Sequence, residues 1–307
     1  MKTIHAATEL AAGGRKVCLA IGVFDGMHLG HQQIIRQTIA DARQHDALAL
    51  VLTFDQHPHA IVAPDRLPPL IYSPAQKLRA IESLGTDALL VIHFDKPFSQ
   101  QTGEEFICGL IRDLGKIQSI CVGADFVFGR KRSGDVTLLK KLGAEFGFTV
   151  HGLAAVALDN QTVSSTRIRE AIRAGDFDAA SQMLGRPYAI SGRVIEGDQL
   201  GRQFGFPTAN LDATGLILPP NGVYSGCTKI AGQFYRVALN IGLRPTVAVA
   251  KPELRVEAHL LDFDGQLYGE ELEVSIGEKL RSEQKFASPA ELRQQITRDI
   301  AKVRAQV

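Results

Sequence analysis

"VCLAIGVFDGMHLGH", Val17–His31, opens with five apolar residues and closes with two histidines three positions apart, with Gly22, Gly26 and Gly30 between and around them. The uninterrupted run Val17–Ile21 has the character of a strand covered on both faces. "QQIIRQTIADARQ", Gln32–Gln44, follows at once and sets Ile34, Ile35, Ile39 and Ala42 on one stripe, as an amphipathic helix does. A strand that feeds a helix through a glycine-bearing turn is the entry unit of a parallel α/β sheet.

The pattern repeats along the first half. Apolar runs at 48–54, 88–94, 119–123 and 148–153 alternate with the helical segments "PAQKLRAIESLG" from Pro74, "GEEFICGLIRDLG" from Gly103 and "DVTLLKKLGAEFG" from Asp135. Such alternation predicts a doubly wound parallel sheet. After about residue 185 the helical period gives way to strand-like segments between Gly, Pro and Asn turns, as in "GVYSGCTKIAGQFYRVALNIG" from Gly222 and "LRVEAHLLDFDGQLYGEELEVSI" from Leu254. That texture predicts a compact antiparallel sheet or small barrel. A last amphipathic helix begins with Ser288 as N-cap and Pro289 in its first position. The boundary is placed between residues 184 and 185, which suits a 307-residue chain of two domains.

Bulk chemistry narrows the function. With 34 basic against 33 acidic residues the net charge is +1, so neither a nucleic-acid nor a membrane-surface partner is indicated. Cys18, Cys108, Cys121 and Cys227 sit in apolar runs without a CxxC pair, as free thiols buried in a reducing compartment do. The N-terminal "MKTIHAATEL" has no apolar core of a secretory signal, and no run reaches the length of a membrane span. A cytoplasmic protein acting on small molecules is the expectation.

Ligands of a doubly wound sheet gather beyond the carboxyl ends of the strands, where the next helix presents its N–H groups. His28 and His31 fall there, and the three glycines let backbone approach a phosphate closely. Zinc is disfavoured because a lone His-x-x-His lacks a third ligand. "SSTRIREAI", from Ser164, opens a helix with hydroxyl residues and then places Arg167 and Arg169 in its first turn. Cations there oppose the helix dipole by up to about 1 kcal/mol each, a conflict that a bound anion removes. In "GRQFGFPTANL", from Gly201, Pro207 fixes its own φ and extends Phe206, so Thr208 and Asn210 project from a defined backbone. A hydroxyl and an amide oxygen are hard ligands that Mg²⁺ accepts alongside phosphate. In "LRVEAHLL" the residues Leu254, Val256, Ala258 and Leu260 alternate with Arg255, Glu257 and His259, which puts Glu257 on the polar face.

These motifs carry a family resemblance. The His-x-Gly-His of residues 28–31 is similar to that of nucleotidyltransferases, and with "SSTRIREAI" and "VGADFVFGRKRSGD" (122–135) the first half resembles the FAD synthetase module of bacterial riboflavin kinase/FMN adenylyltransferases. It departs from that pattern at Val127 and Gln56. "GRxxGFPTAN", "NIGLRPT", "VEAHLLDFDGQLYGEEL" and "LRSEQKF" follow in the order seen in riboflavin kinases. The resemblance implies a Rossmann-like adenylyltransferase domain over 1–184 and a small antiparallel β-barrel kinase domain with a C-terminal helix over 185–307. It implies MgATP as co-substrate, riboflavin and FMN as acceptors, and FMN and FAD as products. On the transferase side it assigns His28 and His31 to the ATP phosphates, and Gly22, Phe24, Asp25 and Gly30 to the nucleotide loop. Asp125 goes to the nucleotide or flavin-phosphate side, and Ser164, Thr166 and Arg167 to phosphates, while Arg169 is allowed a surface position. On the kinase side it assigns Thr208 and Asn210 to Mg²⁺ and ATP, Gly201 to a phosphate cradle, and Glu257 as general base. A single live activity, a transferase for another acceptor and a non-catalytic flavin or nucleotide sensor are the rival readings.

Overall fold

In the computed structural model, which describes residues 1–10, 14–197, 201, 205–244 and 253–305, each apolar run of the first half becomes a strand. These are β2 (Val17–Ile21), β3 (Leu48–Phe54), β4 (Ala88–Ile92), β5 (Ile117–Gly123) and β8 (Thr149–Leu153). A further strand, β1 (Lys2–Ile4), joins the edge beside β4; three residues are too few to leave a periodic signal in the sequence. All pairings are parallel, in the order β1-β4-β3-β2-β5-β8. Two small hairpins, β6 (Val127–Phe128) with β7 (Gly134–Asp135) and β9 (Ala157–Leu158) with β10 (Gln161–Thr162), decorate the sheet.

Helices α1 (Leu29–Gln44), α2 (His59–Val62), α3 (Pro74–Glu82), α4 (Gly103–Leu114) and α5 (Val136–Phe146) connect the strands. Local chemistry sets their ends: Thr102 and Glu105 form a capping box on α4, and Asp135 accepts the Leu138 N–H to start α5. Leu19, Ile21, Leu50, Leu52, Leu90, Ile120 and Val122 are all buried in the core.

One polar knot lies inside this core. Asp41 on α1 is 6 % exposed, and its carboxylate accepts from Ser119 Oγ at 2.7 Å, Gln37 Nε2 at 2.7 Å and Cys121 Sγ at 3.7 Å. His151 Nε2 on β8 lies 3.1 Å away. The carboxylate therefore pins α1 to β5 and β8 at once, and burial pushes the Cys121 thiol up to about 12. The cysteines are free, as expected, but Cys227 is exposed rather than buried.

The chain forms two compact units, Met1–Pro69 with Pro74–Ser165, and Leu70–Ser73 with Thr166–Val307. The second includes α6 (Ser165–Ala174) from Thr166 onward, and α7 (Phe177–Leu184). It is built on a closed antiparallel barrel of β11 (Ala189–Ile195), β12 (Ala209–Leu211), β13 (Gly222–Ile230), β14 (Gln233–Arg244), β15 (Glu253–Leu260) and β16 (Glu271–Arg281). Its order is β11-β12-β15-β14-β13-β16. Val194, Leu211, Tyr224, Leu239, Val256, Ala258 and Val274 fill the interior. Leu254, expected on that apolar face, is 42 % exposed. It lies past the last β12 pair, Leu211 with Val256, where the barrel no longer encloses the strand. The C-terminal helix Pro289–Ala305 starts as the sequence predicts, with Ser288 Oγ accepting the Glu291 N–H at 3.2 Å.

Replacing Asp41 by Ala strands several buried donors and is expected to cost about 3 kcal/mol. The urea midpoint should fall accordingly, and Asn, which keeps one acceptor oxygen, should recover part of the loss.

Candidate active sites

The sheet order places a crevice. From β2 the chain proceeds to β3 and β4 on one side and returns to β5 and β8 on the other, so the topology switches between β2 and β5. Ligands of open α/β sheets bind at the carboxyl ends of the strands that flank such a switch. The loop after β2 ends at His28, the first turn of α1 carries His31, and the loop after β5 carries Asp125, which is exposed.

The loop after β2 holds an uncommon backbone. Phe24 (φ 54°), Gly26 (φ 77°) and Met27 (φ 45°) are all left-handed, although Phe24 and Met27 are 1 % and 0 % exposed. Left-handed backbone at non-glycine residues persists only where the surroundings enforce it. Here donors from three directions do so. Thr53 Oγ1 donates to the Val23 carbonyl at 3.0 Å, Ser165 Oγ to that of Asp25 at 3.1 Å, and Gln32 Nε2 to that of Met27 at 2.8 Å. Packing in this loop needs Gly22, because a Cβ on it would stand 2.9 Å from the Phe24 ring. Gly30 has the same character: a Cβ there would lie 3.3 Å from the His28 ring.

His28 is the N-cap of α1, its Nδ1 accepting the His31 N–H at 3.4 Å, which leaves the proton on Nε2. The two imidazoles stack with centroids 3.6 Å apart, and Phe24 meets His31 edge-on at 5.3 Å. Burial lowers the His28 pKa to about 4. His31 is driven well below the usual histidine range by burial first, then by its neighbours His28 and Lys77. Its Nδ1 is buried and has no hydrogen-bond partner among the described residues. Such an orphan at a helix N-terminus points to a polar ligand that supplies the missing partner. At neutral pH the pair acts as uncharged hydrogen-bonding groups.

Asp25 is 6 % exposed. Ser164 belongs to the first unit, whereas Thr166 and Arg167 begin the second. Arg169 is not at the surface: it is 7 % exposed and lies among the buried residues of α6.

The barrel brings the kinase-type residues into one line. Register pairs run Asn210 with Glu257, Glu257 with Asn240, Asn240 with Val223 and Val223 with Arg281, a row across five strands. Directly opposed residues share a face, and this row forms the floor of a cleft of about 360 Å³ that Thr208, His259 and Gly201 also line. Leu292, Ile296 and Ile300 of the C-terminal helix make its apolar wall. That helix is held by Asp299, 3 % exposed, which accepts from Arg281 Nε at 2.8 Å and Gln295 Nε2 at 2.9 Å. The cleft thus combines a polar register row with an apolar helix wall.

Thr208 also lines an adjoining hollow of about 220 Å³ with Phe263, Gly265 and Tyr268, and so stands between two spaces. Its backbone is fixed from both sides. The Pro207 carbonyl lies 2.7 Å from His259 Nδ1, and Gly201 is kept small because a Cβ there would collide with the Phe206 carbonyl. Gln203 of the "GRQFGFPTANL" block, and Pro245 and Thr246 of "NIGLRPT", lie outside the described residues. Asn240 and His259 were not singled out by sequence reasoning. Their signals are their places in the "NIGLRPT" and "VEAHLL" blocks and their outward alternation against Val237, Leu239 and Ile241, or against Val256, Ala258 and Leu260.

Thr208 Oγ1, the Asn210 amide oxygen and the Glu257 carboxylate form a hard oxygen set. Among the described residues no group of three or more His, Cys, Asp or Glu could hold a metal. The donors therefore suit an ion that arrives on a phosphate, as Mg²⁺ does, rather than a protein-caged one.

The depressed histidine values set a pH dependence. His28 titrates near 4 when folded and near 6.5 when unfolded, so between those values the unfolded chain binds more protons. Stability present above pH 6.5 is lost as pH falls, about 3 kcal/mol from His28 by pH 4. Histidine NMR should show the His28 ring neutral down to pH 5 and the His31 midpoint displaced below the usual histidine range, and His28→Gln should flatten the decline in urea stability.

Comparison with known proteins follows the same division. Residues 11–167 match the family model described as FAD synthetase, and residues 184–307 that described as riboflavin kinase. The bifunctional riboflavin kinase/FMN adenylyltransferase of Escherichia coli K12 is 37 % identical, over 97 % of this chain and 96 % of that protein. The Pseudomonas fluorescens protein of the same name is also 37 % identical, over 99 % and 97 %. A crystal structure described as a macrolide-efflux protein from Streptococcus pneumoniae is 30 % identical, with a TM-score of 0.82 and coverage of 100 % of both chains. Among the described residues here no helix is long and apolar enough to cross a membrane. Two matched models in this order, each carrying its own candidate site, establish that the chain belongs to the bifunctional riboflavin kinase/FMN adenylyltransferase family.

Proposed function

We propose that this chain phosphorylates riboflavin to FMN in the barrel cleft and adenylylates FMN to FAD at the switch point of the sheet, with the functional division at residues 184 and 185. The observation that carries the kinase half is the register row, which sets Glu257 between Asn210 and Asn240 beside Thr208. A cleft with a polar row and an apolar wall fits a flavin, whose ring system is flat and largely apolar and whose ribityl chain is polar. The nucleotide takes the neighbouring hollow, leaving Thr208 at the point where the two substrates meet.

Glu257 accepts the proton of the ribityl 5′-hydroxyl as that oxygen bonds to the γ-phosphorus of ATP, and ADP leaves with the electron pair of the broken bond. A carboxylate is a weak base for an alcohol, so positioning does most of the work. Thr208 and Asn210 would hold Mg²⁺ on the ATP phosphates, where it supplies charge neutralisation, and the Gly201 backbone lies beside those phosphates.

In the transferase half, a phosphate oxygen of FMN attacks the α-phosphorus of ATP and pyrophosphate departs. The nucleophile is already ionised, so the protein orients the reactants and donates hydrogen bonds. His28 and His31 face the ATP phosphates from the N-terminus of α1. Asp125 serves the nucleotide or flavin-phosphate side, and Ser164, Thr166 and Arg167 bind phosphates. Phe24 and Asp25 shape the nucleotide loop.

Incubating the purified chain with riboflavin, ATP and Mg²⁺ and resolving products by chromatography should show FMN and then FAD with pyrophosphate. FMN accumulating without FAD would overturn the two-activity reading. Glu257→Gln should slow FMN formation by at least about 100-fold while FAD still forms from supplied FMN. His28→Ala should do the opposite, lowering FAD formation by about 100-fold or more.

A further inference from the structure

Neutral histidines bring no positive charge to the switch-point site, where Arg167 is so far the one cation assigned to phosphates. Lys77, on α3, is a second. Its Nζ donates to Thr53 Oγ1 at 3.3 Å and to the Phe54 carbonyl at 3.0 Å, at the carboxyl end of the strand beside β2. Thr53 in turn donates to the Val23 carbonyl, so ammonium, hydroxyl and nucleotide loop form one hydrogen-bonded chain. Both acceptors of Lys77 are neutral, and an ammonium has three N–H donors, of which these use two.

Electrostatics connect the same groups. Burial lowers the Lys77 pKa, while Asp25 and Asp55 oppose that shift. Lys77 in turn helps keep His31 uncharged, which sets its ammonium within electrostatic reach of that ring. A half-buried cation that keeps a donor in hand, beside a buried His31 Nδ1 with no partner, frames a site for an anion.

The chemistry asks for such a cation. In adenylyl transfer an FMN phosphate oxygen forms a bond to the α-phosphorus, the bond from that phosphorus to the bridging oxygen breaks, and pyrophosphate carries away the electron pair. No proton or redox partner is needed, but negative charge gathers on the α-phosphoryl oxygens and on the leaving pyrophosphate. Neutral imidazoles contribute dipoles, whereas a cation in a part-buried site interacts far more strongly with that charge. We propose that Lys77 is the cationic partner of His28 and His31, its ammonium contacting the triphosphate and neutralising the charge that develops as pyrophosphate leaves. The assignment rests on the adenylyl-transfer reading of this site and adds to it a residue outside the His-x-Gly-His motif.

The test uses the full chain with Lys77→Met, which keeps length and loses charge, and Lys77→Arg, which keeps charge. Initial rates of FAD formation from FMN and ATP should fall by about 100-fold in K77M and recover at least tenfold of that in K77R. FMN formation from riboflavin should be unchanged in both. Calorimetry with pyrophosphate alone should show binding to the wild type and K77R that is weakened at least tenfold in K77M. FAD formation by K77M within about threefold of wild type overturns the proposal. So does an equal loss in both variants with a matching fall in urea stability, since a purely structural lysine behaves that way. If the wild type makes no FAD yet binds pyrophosphate through Lys77, the adenylyl-transfer reading fails and the anion site stands; if pyrophosphate binding ignores K77M, the anion site fails.

Discussion

The turn between β2 and α1 is the constraint from which the first unit takes its chemistry. Left-handed backbone at Phe24 and Met27 costs on the order of 1 kcal/mol or more at each residue, and it is sustained because three carbonyls of that turn accept from side chains on β3, on α1 and at the start of α6. The conformation delivers His28 to the N-cap of α1 and stacks His31 upon it. Burial in that position holds both rings below the ordinary histidine range.

The barrel reaches an ordered site by another route. No residue of the Asn210–Glu257–Asn240 row has a left-handed φ; register alone aligns them. Antiparallel pairing sets opposed residues on one face, and the inward packing of Val256, Ala258, Leu239 and Ile241 forbids a slip, because a one-residue shift would exchange core and cleft faces. The hydrophobic interior is thus what holds the carboxylate between two amides. The buried Asp299–Arg281 pair then fixes the helix that makes the apolar wall.

Much of this was legible in the sequence, and the reason differs by element. β2 and β4 are apolar over their whole length and β3 over all but Thr53, so composition marks them; β5 and β8 are read from shorter apolar stretches interrupted by Ser119 and His151, whereas β1 has one buried residue in three and leaves no pattern. The His-x-Gly-His stretch announces itself by spacing. That His28 caps its helix does not, since hydroxyl and carboxylate side chains are the usual caps and an imidazole gives no such signal. Lys77 reads in the sequence as one polar position on an ordinary amphipathic helix; only the packing of α3 against the end of β3 gives it a partner. Asn240 needs the strand pairing before it can be set beside Glu257. The sequence allows Arg169 a surface position because charge favours exposure, yet its helix position turns it inward beside Ile168 and Ile172.

The two sites divide along the protonation of their nucleophiles. An alcohol must lose a proton as it attacks, and the unit read as acting on riboflavin places a carboxylate at the centre of its polar row. A phosphate needs no base, and the unit read as acting on FMN offers neutral imidazoles and a helix N-terminus instead. Donors fixed at the helix N-terminus before the reaction meet the charge that gathers on the leaving pyrophosphate without reorganising, which is what a phosphoryl transition state requires of its site.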